Sequence, residues 1–118
     1  MKPDAPKTAR ELRERLVLIV PAFGEACTEE EMREEESLSA VTLHFVMQRF
    51  AEFFGGAQAS LSQRQLAALG AFLSQAVEND DDLENAVSTC FLEHLRQIRG
   101  YEALAPHLTA LAKRKTHA

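Results

Sequence analysis

The side chains with the widest chemical range in this chain are two cysteines, Cys27 and Cys90, and four histidines, His44, His94, His107 and His117. Cys90 and His94 stand four residues apart, which places a thiol and an imidazole on one face of a helix. Such a pair can contribute two ligands to a metal, but zinc takes three or four. The further ligands would have to come from distant positions such as His44 or Cys27, and neither C-x-x-C nor H-E-x-x-H occurs. The same pair could serve as nucleophile and base. Its neighbours on the expected helix face, Leu83, Val87, Phe91 and Ile98, are apolar, so a buried thiol and a neutral imidazole within a core stripe are expected instead. There is no G-x-S-x-G and no phosphate-binding glycine loop. The sequence therefore leads us to expect no catalytic residue, metal ligand or cofactor.

Carboxylates are the second chemical resource. Between Glu25 and Glu36 there are seven glutamates and one arginine. No calcium-loop spacing or loop glycine accompanies them. One reading is an ordinary solvated face. The other is an acidic docking surface formed by Glu29, Glu30, Glu31, Glu34, Glu35 and Glu36 for a cationic protein partner, such as a basic toxin domain. The charge distribution fits the second reading. Residues 16–95 carry three basic and fourteen acidic side chains, whereas residues 96–118 carry five basic and one acidic, within a total of −5. An acidic body argues against nucleic acid as the main ligand, because neutralising phosphates requires a basic face.

These groups must be positioned by helices. Thr8 and Glu11 form a T-x-x-E start signal ahead of the Leu12, Leu16 and Ile19 stripe, and Pro21 ends that run. Residues 21–36 read equally as helix or loop; Thr28 and Glu31 could cap a short helix. Ser37 is placed to cap a helix over 38–54, rich in phenylalanine and closed by Gly55 and Gly56. Ser62 and Gln65 form another capping box, with Leu61 and Leu66 as its hydrophobic staple, before a helix running to about Glu78. Asp81 and Glu84 repeat the signal for a helix over 82–98, which Gly100 would terminate as its left-handed residue. The 38–54 and 82–98 segments are apolar on more than one side, so they are expected at the centre of the fold.

The result is an all-α reading: a compact bundle of four to six helices. A single helical domain over 8–114 is expected, with a disordered lead-in at 1–7 and a frayed tail at 115–118. The longest unbroken apolar run, Leu16 to Val20, is too short to cross a bilayer, and the N-terminus lacks a signal-peptide core. A cytoplasmic protein that does not bind membranes is the expectation, with both cysteines as free thiols.

The C-terminal half resembles a family of small bacterial proteins described as a domain of unknown function. The resemblance runs from Asp80 through Asp82-Leu-Glu-Asn-Ala-Val87 to Phe91-Leu-Glu-His-Leu95, then to Tyr101 and Leu104-Ala-Pro106. Pro21-Ala-Phe23 is similar as well, while Ala105 stands where the family pattern has glycine. The resemblance implies an all-helical fold and assigns no catalytic residue. In type, though not in motif, the chain is similar to immunity proteins that occlude toxins. The functional expectation is a non-enzymatic protein-binding domain. The alternatives are a self-associating module, present as a homodimer, or a ligand-binding bundle lined by Phe45, Phe50 and Phe54.

Overall fold

Start signals dictate where the helices begin. In the computed structural model, which describes residues 5–38 and 41–116, the Thr8 hydroxyl accepts from the Glu11 amide and the Glu11 carboxylate accepts from the Thr8 amide. This capping box opens α1 (Ala9–Ile19). Ser62 and Gln65 form the same reciprocal pair ahead of α5 (Gln63–Ala76). Each box satisfies two amides that a helix start would otherwise leave unpaired.

Residues 21–36 resolve into two helices. α2 (Phe23–Ala26) is one turn that drops Phe23 into the core. α3 (Glu29–Leu38) follows, with the Thr28 hydroxyl accepting from the Glu31 amide and Met32 as its buried residue. α4 (Leu43–Ala57) is the longest helix, and it starts later than the sequence pattern suggests. Ser37 does not cap it: its hydroxyl donates back to the Glu34 carbonyl within α3. Thr42 is the cap, accepting from the Phe45 amide. Leu38, expected in the α4 core stripe, belongs to α3 and is 81% exposed. Gly55 and Gly56 lie within α4, which runs on to Ala57 and then into a 3₁₀ turn at Gln58–Ser60.

α6 (Asp82–Cys90) shows the largest departure. The expected helix over 82–98 breaks at Phe91, whose φ/ψ of −127°/−65° is not helical. A 3₁₀ turn at Leu92–His94 and further turns carry the chain to Gly100. Phe91, Leu92 and Leu95, at and after the break, are all fully buried. The Asp81 side chain accepts from the Glu84 amide as expected, but Glu84 does not reach back. Its carboxylate accepts from the Ser88 hydroxyl at 2.6 Å and lies 3.6 Å from Lys115 Nζ.

The chain closes with α7 (Tyr101–Leu104), a 3₁₀ turn at Ala105–His107 and α8 (Ala110–Arg114). Gly100 is not the left-handed residue. Arg99 is, at φ 62°, and the Gly100 amide donates to the Leu95 carbonyl behind it. Glycine is needed at 100 for space, because a Cβ there would overlap the ring of Phe54. Gly70 of α5 is constrained in the same way: its Cβ would come within 2.5 Å of the His107 Cβ and carbonyl oxygen.

Among the described residues, five helices of nine residues or more and three short ones make an all-α bundle. α4 and α6 form its largest helix–helix contact, as their apolar patterns predict. The core centres on a run of rings. Phe23 meets Phe50 edge-on at 5.0 Å, and Phe91 packs at 5.5 Å on both Phe50 and Phe54. Phe50 and Phe54 thus face other rings of the core. Fully burying a side chain of this size contributes about 2–3 kcal/mol. The break at Phe91 is therefore part of how the core is built.

At the ends, Pro6 is buried and the Lys7 amide donates to Glu11, so packing begins within the segment expected as a lead-in. Lys115 pairs with Glu84, and Thr116 is buried with its hydroxyl on the Lys113 carbonyl. Packing thus extends past residue 114. Residues 1–4 of the lead-in and 117–118 of the tail, His117 included, lie outside the described residues.

Candidate functional site

The acidic segment is helical, and arginines divide it into two faces. On the inner side, Arg13 of α1 is buried. Its Nε donates to the Cys27 carbonyl at 2.5 Å, Nη1 to Glu29 at 2.9 Å and Nη2 to the Gly24 carbonyl at 3.4 Å. Arg49 of α4 reaches the same segment. Its Nη2 donates to the Ala26 carbonyl and to Glu31, both at 3.1 Å. Its Nε lies 2.8 Å from Glu31 Oε1 but makes no hydrogen bond there, so that contact is a charge pair alone. Arg10 pairs with both Glu29 and Glu36. A guanidinium is well suited to this work, since its fixed fork of donors can meet a carboxylate and the carbonyls at a helix end together.

The six expected partner-binding residues therefore separate. Glu29, Glu31 and Glu36 are engaged by Arg10, Arg13 and Arg49 and hold α3 against α1 and α4. Among the described residues, no ion pair engages Glu30, Glu34 or Glu35. Glu30, Glu34 and Leu38 are spaced by four, so they share one outward face. Glu30, Glu34 and Leu38 are all exposed. Arg10 and Arg13, which as a sequence look like ordinary surface charge, are the residues the acidic run needs. The available signal was the mismatch of seven glutamates with one arginine inside the run. An acidic helix that packs must find its cations elsewhere in the chain.

The thiol–imidazole pair is also rearranged. Because the helix breaks at Phe91, His94 is exposed, with Nδ1 3.4 Å from Gln97 Oε1, and it does not meet Cys90. This corrects the expectation of a buried Cys90–His94 stripe. Cys90 is half-buried, and its sulfur meets His44 of α4, with Nδ1 3.2 Å from Sγ, and more distantly the Thr89 hydroxyl at 3.8 Å. The other ring nitrogen of His44 lies 3.3 Å from the Asn85 amide nitrogen. His44 also borders an open groove of about 410 Å³ shared with Lys7, Thr42 and Asp82. No periodicity within α6 could reveal this pairing, since it joins residues 46 apart through the α4–α6 contact.

Cys27 is the contrasting thiol. It is fully buried, with Sγ 3.9 Å from Met32 Sδ. Burial pushes its pKa up, the nearby Glu31 carboxylate adds to the rise, and Arg13 and Arg49 oppose it. It is therefore a protonated packing group at neutral pH. Among the described residues, no group of three or more histidine, cysteine or acidic side chains is placed to hold a metal. Likewise, no helix there is long and apolar enough to cross a membrane.

Residues 13–117 match the family described as "Domain of unknown function (DUF7674)". The chain belongs to this family. The matched span begins at Arg13 and takes in all of α2 to α8, so it includes both the arginine-held acidic helix and the His44–Asn85–Cys90 cluster. No curated protein and no solved structure matches the chain.

Proposed function

We propose that this is a non-enzymatic protein-binding domain whose contact surface is the outward face of α3, acting by occlusion of a basic surface in the manner of an immunity-type inhibitor. The observation that carries the reading is the placement of Leu38, 81% exposed, one helical turn beyond Glu34 and two beyond Glu30. A large apolar side chain held in water beside carboxylates that no described residue pairs with has the composition of a contact patch. The leucine supplies a desolvated anchor and the acids supply attraction and register. The arginine contacts behind α3 support the same reading, because a helix held in place loses little entropy on binding.

The test separates the glutamates with no ion pair among the described residues from those held by arginines. Glu30→Lys, Glu34→Lys and Glu35→Lys together should slow association with the physiological partner by about tenfold or more. The melting temperature should stay close to that of the parent. Leu38→Asp should speed dissociation. A partner bound equally well by the triple variant and by Leu38→Asp rejects this surface.

A further inference from the structure

The cluster around Cys90 has no part in the occlusion reading. We propose that Cys90 is a site of reversible covalent modification, at which its sulfur exchanges with low-molecular-weight disulfides while His44 holds the thiol proton.

Three observations carry this. First, His44 Nδ1 is 3.2 Å from Cys90 Sγ, within reach for a proton to pass between them. Second, Nε2 of the same ring has Asn85 as a partner at 3.3 Å. For Nδ1 to take the thiol proton, the neutral ring must carry its hydrogen on Nε2. Asn85 then serves the ring with its carboxamide turned so that the oxygen accepts from Nε2–H, before and after the transfer. Third, Cys90 is only partly buried and Asn85 beside it is exposed, while the groove borders His44 without reaching the sulfur. Cys27, by contrast, is shut in.

The exchange balances without any group beyond the disulfide. The Cys90 proton moves to His44 Nδ1. The thiolate attacks one sulfur of R–S–S–R, a new Cys90–S–S–R bond forms and the old S–S bond breaks. The electron pair leaves on R–S⁻, which takes the proton from His44. Cys90 is oxidised to the mixed disulfide and the departing sulfur is reduced to a thiol. A second thiol, added as reductant, reverses the sequence.

The experiment uses the full chain with oxidised glutathione and an aromatic disulfide reagent, and reads rate by absorbance and position by peptide mass spectrometry. In the folded protein one adduct should form, on Cys90, at least about tenfold faster than on the same thiol in denaturant. Cys27 should stay unmodified until the protein unfolds. His44→Gln should lower the Cys90 rate by about tenfold, and Asn85→Ala by a few-fold. Reaction at Cys27 exposes any variant that has lost its fold, and in that case the exposed Asn85 gives the deciding substitution. A native rate no higher than the denatured one, or a Cys90 rate that neither folded variant lowers, overturns the proposal.

Discussion

Gly100 backs directly onto the ring of Phe54, so that a Cβ built on it would overlap Cε2 and stand 2.7 Å from Cδ2. The neighbouring Arg99 carries the left-handed conformation of this turn. Two roles that a single glycine often fills are divided here between adjacent residues. Gly100→Ala should destabilise the fold by about 2–3 kcal/mol, the usual result of forcing extra carbon into a packed core. Arg99→Gly should act in the opposite direction, by up to ~1 kcal/mol, because it relieves a strained backbone. Urea denaturation of the two variants checks both signs. If Gly100 were itself the left-handed residue, Arg99→Gly would bring no gain.

Arg13 provides a second expectation. Its truncation leaves the Gly24 and Cys27 carbonyls without a donor and Glu29 with only Arg10. Arg13→Ala should lower stability by about 3 kcal/mol, in line with breaking a buried charged network on one side. Arg33 lies on the exposed side of α3, and Arg33→Ala should change stability by less than ~0.5 kcal/mol. Thermal melts of the two variants make the comparison.

The break at Phe91 can be tested by a pair of substitutions. Phe91→Ala should cost about 3–5 kcal/mol, since it empties the space between Phe50 and Phe54. His94→Ala should be nearly neutral, because the ring is exposed. A continuous helix with His94 in its core stripe requires both to be damaging. Chemical denaturation therefore distinguishes the two geometries.

Acid should weaken the start of α1. Amides of Lys7 and Thr8 donate to the Glu11 carboxylate and hold its pKa below the ordinary value. A carboxyl depressed in the folded state contributes stability above its unfolded pKa and loses that contribution as pH falls through the folded one. Thermal stability followed from neutral pH to about pH 3 should thus fall less steeply in Glu11→Gln than in the parent. Identical acid slopes would show that this carboxylate has no such linkage.

Features governed by local chemistry were legible in the sequence. The Thr8–Glu11 and Ser62–Gln65 boxes form as their spacing requires, because every partner lies within one turn. The pairing of α4 with α6 followed from the two-sided apolar content of both segments. Less legible were the places where tertiary packing decided between local alternatives. The pattern over 38–54 looks unbroken, yet Leu38 lies outside the core, and the cap is Thr42, not Ser37. The pattern over 82–98 is equally periodic, yet the helix ends at Cys90, and Phe91, Leu92 and Leu95 enter the core from the turns that follow it. That break also replaced His94 with His44 as the partner of Cys90, a pairing that no spacing within one helix could encode.

The arginines behind α3 also set how far its charge is felt. In sequence, Glu29 to Glu36 amount to six negative charges and one positive. In the fold, Arg10, Arg13 and Arg49 stand against three of those carboxylates, and Arg49 also pairs with Glu52. At about 10 Å, the screening length in ordinary salt, the helix, its arginines and Glu52 together present a charge near −3. An approaching molecule meets a weak field at long range and strong, localised carboxylates only on contact. Such a surface discriminates at close quarters and draws in little from afar, so its association rate should depend on ionic strength far less than six glutamates in a row would suggest.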